Sequence, residues 1–192
     1  MRQTCQHFSG RQLSLEGLAA LLHSGYGPLI RSTGSAEGEY APHRTVPSAG
    51  ALFPLEVYVA VFRVSDLAGG LYHFVPNEET LTPLRLDDVV EKAVVSRFVD
   101  AEKIRGSAAI VLVTSVFERS RFKYGLRGYR FALLEAGHLG QNIALAGAAL
   151  EIGVMPIGGT WDDEIEKLLG VDGINEALVY AFAIDGEAEP TS

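Results

Sequence analysis

Ala108-Ala-Ile-Val-Leu-Val-Thr-Ser-Val-Phe117 is an unbroken apolar run of strand length. A run apolar at successive positions fits a strand covered on both faces, because alternate side chains then point into two separate apolar layers. Downstream, Gly128–Ile152 is mostly apolar at helical spacing, which predicts one long buried helix. Leu55–Arg63 (LEVYVAVFR) is a β-branched and aromatic strand, and Gly70–Val75 with Thr80–Leu84 reads as a hairpin across Pro76–Glu79. Leu13–Gly25 reads as a first helix, capped by Ser14 and ended by Gly25. Asp87–Val99 and Asp162–Leu169 read as further helices, the latter with Asp162 as N-cap. Gly153–Ile157 and Ala177–Ile184 complete the strands. Strands and helices mix without a regular βαβ period, so the fold class is α+β.

The bulk numbers agree with one domain spanning residues 1–192. Apolar residues are 47% and charged residues 21%, an ordinary globular mix able to bury a core. The one cysteine, Cys5, permits no internal disulfide, which fits a reducing, cytoplasmic setting. No signal peptide is visible, and no apolar run approaches the ~18–20 residues of a membrane span. The net charge is −8 with no basic tract, which argues against nucleic acid as a partner. No metal is expected.

Four segments carry chemistry. Arg44-Thr-Val-Pro-Ser-Ala-Gly-Ala51 precedes a strand, and its small residues Ser48, Ala49, Gly50 and Ala51 allow a flat ligand close to the backbone. A plain turn explains that segment equally well. Neither a dinucleotide-binding nor a P-loop fingerprint is present. Met155-Pro-Ile-Gly-Gly-Thr160 follows a strand and precedes a helix, so Gly158 and Gly159 can free backbone N–H groups for a ligand; an ordinary loop is the competing account. On the long helix, Glu135, His138, Gln141 and Asn142 fall on one side, among Phe131, Leu134 and Leu145. Buried polar groups need partners, which a ligand edge, a loop or a second subunit can supply. Arg119–Arg130 carries five of the sixteen cations and contains Lys123-Tyr124, which can work as a coupled acid–base pair if it is not a solvated connection. The segment Arg31–Pro47 is rich in Gly, Ser and Pro and reads as a long loop, which at that length tends to be functional.

Taken together, PSAGALFPLEVYV, GLYHF, KYGLRGYRFALLEAGHLGQN and MPIGG resemble, in order and spacing, the SagB-type dehydrogenases of the nitroreductase-like flavoproteins. The resemblance runs from Arg2 to about Ile184. It implies a central mixed or antiparallel sheet flanked by helices, and an intertwined homodimer holding FMN between its subunits. Family members contact the FMN phosphate with an R-R-S-x-R-x-F signature. Here Arg2-Gln-Thr-Cys-Gln-His-Phe8 keeps Arg2 and Thr4 in kind, with Gln3 and Gln6 replacing cations. The tail Asp185–Ser192 lacks the Lys or Arg that many relatives place there, and Arg44 is the candidate to compensate. By the same resemblance Pro47, Ser48, Ala49, Gly50 and Gln141 line the flavin, Pro156, Ile157, Gly158 and Gly159 pass its N5 edge, and Lys123 and Tyr124 support substrate deprotonation.

The implied activity is dehydrogenation of a thiazoline or oxazoline, borne on a peptide or carrier, to the thiazole or oxazole, with hydride passing to flavin N5 and oxygen regenerating the flavin. Two alternatives stand beside it: an NAD(P)H-dependent nitro- or quinone reductase, and a flavin-poor binding or scaffold subunit of a peptide-modifying complex. Tyr26, Tyr40, Tyr72, His73 and Trp161 are candidates to line a substrate pocket, though packing explains them equally well.

Overall fold

The computed structural model describes residues 1–32 and 40–186, of which 30–32 and 40–42 by backbone only. Helix α1 (Leu15–Tyr26) starts at Ser14, whose hydroxyl accepts from the Gly17 N–H. Strands β1 (Pro28–Ser32) and β2 (Tyr40–Arg44) pair antiparallel. The stretch read as one long loop is therefore ordered at both its ends by ladder hydrogen bonds; residues 33–39 lie outside the described residues. Strands β3 (Leu55–Val61), β4 (Gly70–Val75) and β5 (Thr80–Arg85) form a meander. Helices α2 (Val90–Val95) and α3 (Ala101–Ile104) follow, then β6 (Ala109–Val116), α4 (Glu118–Tyr124), α5 (Arg127–Ala149), β7 (Val154–Ile157), α6 (Asp162–Leu169) and β8 (Glu176–Ile184).

The main sheet has the order β5-β4-β3-β6-β8-β7, and every pairing is antiparallel. The doubly covered strand is β6, at the centre. Its Ala109, Val111 and Val113 join the layer of α1 and α5, while Ile110 and Leu112 join the layer of α2, α3 and α6. Strand β3 alternates in the same way, with Val57 and Val59 on one side and Tyr58 and Ala60 on the other. Burial of these two faces is the main source of stability. Helix α5 lies close on the sheet because Gly140 faces the Phe182 ring, where an added Cβ would stand 2.6 Å from ring carbon.

Four further local readings change. The first helix runs past Gly25 to Tyr26 and ends at Gly27, whose N–H donates to the His23 carbonyl at 2.7 Å. The helix expected over Asp87–Val99 closes after Val95, because the Arg97 and Phe98 N–H groups donate three residues back to Val94 and Val95. This tighter turn buries Phe98 and turns the Val99 N–H toward the Gly159 carbonyl, 3.0 Å away. The basic segment Arg119–Arg130 is two helices, α4 and the start of α5, broken at Gly125 with φ 55°. At α6 the cap position falls on Trp161, with Asp162 as the first helical residue.

Candidate functional site

The turn before β3 is wound tightly. Gly50 (φ 65°), Ala51 (φ 54°) and Phe53 (φ 43°) all occupy the left-handed region, and the Ser48 hydroxyl accepts from the Phe53 N–H at 2.9 Å. Non-glycine residues in that region store strain, which tends to gather at functional sites. Over the turn stands the end of α4. A Cβ on Gly50 would meet the Tyr124 hydroxyl oxygen at 2.6 Å and Lys123 Nζ at 2.9 Å. Tyr124 is steadied by an edge-on contact with Phe131, ring centres 5.0 Å apart. Helix α4 is tied to the sheet by Arg119, one turn before Lys123, which donates to the Phe53 carbonyl at 3.2 Å and pairs with Glu56 at 2.5 Å. Glu56 also holds His73 at 2.7 Å, and its carboxyl lies below its usual range because the His73 and Arg119 interactions outweigh its burial, the largest single influence.

Beneath the turn lies a buried polar cluster. Glu135, 2% exposed, accepts from the Tyr26 hydroxyl at 2.8 Å. Burial raises the Glu135 carboxyl above its ordinary value, against the opposing pull of Ser48, Tyr26 and Arg44. Tyr26 is pushed up, first by burial and then by the Glu135 charge. Arg44 lies over the Tyr26 ring at 4.5 Å and the Phe53 ring at 5.2 Å, donates to the Tyr26 carbonyl at 3.3 Å, and is depressed by desolvation. Arg44 Nε and Thr45 Oγ1 are buried with no hydrogen-bond partner among the described residues. Such orphaned groups mark a place where another molecule can complete the bonding.

The polar face read on the long helix divides. Glu135 points into the core and Asn142 donates to the Thr45 carbonyl at 3.2 Å, whereas His138 and Gln141 face outward between the exposed Leu134 and Leu145. Leu126 (88% exposed) and Phe122 (71%) extend this uncovered apolar band onto α4 and the joint with α5.

Pro156–Gly159 lie elsewhere, in the layer of α2, α3 and α6. With Thr4, Gln6 and the segment Phe98–Ile104 they enclose a cleft of about 350 Å³, within the ~300–1,000 Å³ of small-molecule sites. The N-terminal segment is fastened along β7: the Cys5 N–H donates to Val154, and the Ser9 N–H and hydroxyl both donate to Asp185 at 2.9 and 2.8 Å. Arg2 reaches the Thr4 hydroxyl at 3.4 Å. A Cβ on Gly158 would meet open space, and one on Gly159 would meet nothing nearer than Val99 at 3.6 Å.

Within one chain the candidate residues thus fall into two groups. Thr4, Pro156, Ile157, Gly158 and Gly159 line the cleft, with Arg2 reaching only the Thr4 hydroxyl at its side, while Arg44, Pro47–Gly50, Lys123 and Tyr124 gather at the turn. Gln141 stands on the exposed face of α5. Tyr26 and Tyr72 are core residues, the latter donating to the Ala68 carbonyl, while Trp161 is exposed; the Tyr40 side chain lies outside the described residues. The role of Arg119 had one signal in the sequence, its position four residues before Lys123. Among the described residues there is no metal-binding cluster of His, Cys, Asp or Glu, and no helix is long and apolar enough to cross a membrane.

Comparison with known proteins agrees with this architecture. Over 170 residues the chain is 28% identical to MJ1384 of Methanocaldococcus jannaschii, named as a nitroreductase, covering 88% of this chain and 81% of that protein. It is 30% identical over 135 residues to the Escherichia coli microcin B17-processing protein McbC, covering 67% of this chain but only 49% of that one. Its fold matches a chain of the E. coli microcin synthetase McbBCD complex, solved with truncated pro-MccB17 bound, with TM-score 0.82 and 23% identity over 98% of this chain and 70% of that chain. It also matches a nitroreductase-type protein of Desulfovibrio desulfuricans in complex with FMN, with TM-score 0.63 and 18% identity over 100% of this chain and 84% of that chain. A family model matches residues 1–186, and by that match the chain belongs to the nitroreductase family of oxidoreductases.

Proposed function

We propose that this chain is an FMN-dependent oxidoreductase of the SagB type, which works as a homodimer and dehydrogenates a thiazoline or oxazoline borne on a peptide or carrier to the aromatic azole. The observation that carries the reading is the convergence of Lys123 and Tyr124 on Gly50. The named relative McbC processes a peptide, and the chain spans about half of its length.

The residues present fit FMN. The cleft at Gly158 is open, Thr4 and Arg2 stand at its side, and the buried Arg44 Nε and Thr45 Oγ1 await partners. Arg2, Thr4 and Pro156–Gly159 of one protomer would hold it together with Pro47–Gly50 and Gln141 of the facing one, brought across by burial of the apolar band on α4 and α5. When bound, FMN supplies a two-electron acceptor that takes the second ring hydrogen as hydride and is returned to the oxidised state by oxygen.

The protein's own work is placement and proton removal. Lys123 or Tyr124 takes the acidic ring proton beside the carbonyl. Arg119, bonded to Glu56 and the Phe53 carbonyl, holds α4 so that both tips stay over the turn. With no side chain, Gly50 leaves room for the Lys123 and Tyr124 tips over the turn.

The test is the visible spectrum of the purified protein, with release and identification of the cofactor, followed by aerobic turnover of an azoline peptide. Lys123→Ala is expected to keep the flavin and lose turnover. Unchanged turnover would remove Lys123 from the role. Rapid anaerobic bleaching by NADH or NADPH would favour a nitro- or quinone reductase instead, and colourless protein that FMN cannot reconstitute would favour a scaffold.

A further inference from the structure

Among the described residues, the cleft at Pro156–Gly159 has a single lining cation, Lys103. Gln6, which also lines it, brings no charge. Arg44, of the same chain, is stacked on Tyr26 and Phe53 in the opposite layer and does not line this cleft.

Lys103 is built for the task. Its backbone is fixed, because the neighbouring Ile104 is buried and the Lys103 N–H donates to the Asp100 carbonyl at 2.9 Å. Its side chain is free to move: Nζ rests on Asp100 Oδ2 at 2.6 Å, yet the two side chains are 62% and 64% exposed. An ion pair that open to water contributes little and exchanges readily for a stronger anion. A phosphate carries more charge and more acceptor oxygens than a carboxylate, and lysine suits it as a compact, mobile point charge.

We infer that Lys103 is the cation that receives the FMN phosphate in this cleft, beside Thr4 and Arg2, and that it exchanges Asp100 for the phosphate on binding. The inference rests on the FMN reading above and adds to it the residue that holds the anionic end. Asp100 then opposes binding twice, by occupying Lys103 and by repelling the phosphate.

Titration of flavin-free protein with FMN and with riboflavin, followed by flavin fluorescence, tests this, since the two ligands differ only in the phosphate. Lys103→Ala should weaken FMN about tenfold, the loss of one charge-assisted contact, and leave riboflavin unchanged. Lys103→Arg should retain most of the FMN affinity, and Asp100→Asn should tighten FMN without affecting riboflavin. Unaltered FMN affinity in Lys103→Ala, or equal loss of both flavins, overturns the assignment. If the unaltered protein binds riboflavin and FMN equally, the phosphate subsite falls while the flavin reading survives. If it binds neither, the flavin reading itself fails.

Discussion

Gly50 lies so close under Tyr124 that a single added carbon would stand 2.6 Å from the phenol oxygen. Non-bonded carbon and oxygen cannot approach that closely, so any side chain at position 50 must push the Lys123 and Tyr124 tips away.

Gly50→Ala therefore carries two separable costs. The left-handed backbone costs on the order of 1 kcal/mol for a residue with a Cβ. Displacing the two tips should cut turnover far more, because a misplacement of about 1 Å costs roughly a hundredfold. Gly170 has φ 79° and open space at its Cβ position, so Gly170→Ala supplies the control. Thermal melts should show similar losses for both variants, with azoline turnover falling only in Gly50→Ala.

Removing the Tyr26 hydroxyl leaves Glu135 with an unsatisfied buried oxygen. Tyr26→Phe should lower stability by about 1–3 kcal/mol, the usual cost of such an orphan. Pairing it with Glu135→Gln should cost less than the two single changes summed, since the residues share one hydrogen bond. Chemical denaturation of the four proteins gives the coupling directly.

Glu135 also sets a pH dependence. Its carboxyl lies above the ordinary value in the folded protein, so the native state keeps the proton longer than the unfolded chain. The corresponding stability is complete below the ordinary carboxyl range and is lost as pH rises through the folded value. Glu135→Gln cannot ionise and still accepts from Tyr26. Its stability relative to the unaltered protein should therefore climb with rising pH and then level off, as read from melting temperatures between about pH 4 and about pH 8. A relative stability that falls with pH would contradict the raised carboxyl.

Leu126 and Leu134 project from the joint of α4 with α5 and from α5 itself, uncovered by their own chain. If this band seats a second copy, Leu134→Asp, and Leu126→Asp likewise, should convert a dimer to monomers in sedimentation runs and release flavin with it. The charge sits on a surface already open to water, so the monomer itself should stay folded.

Much of the fold is legible from local pattern. The β-branched and aromatic Leu55–Val61 reads directly as a strand, and the unbroken run in Ala109–Val116 as one covered on both faces. The two short helices Ala101–Ile104 and Glu118–Tyr124 are not legible. Each is one or two turns long, and what fixes it is a tertiary contact, Ile104 in the core and Arg119 on Glu56. At the site, Lys123, Tyr124 and Gly50 stand out by type and neighbourhood, but their approach across 73 residues does not.

Sequence by itself determined the longer elements, the class, and which small or ionisable residues are available for chemistry, because periodicity and backbone permissiveness are local properties of the chain. Only the tertiary structure decided that Glu135 turns inward while Gln141, on the same helix, turns outward, and that the Gly50 turn and the Gly158 cleft occupy different layers. The physical reason is that burial and charge pairing arise between segments distant in sequence, whose approach is fixed by packing rather than by any property of the segments alone.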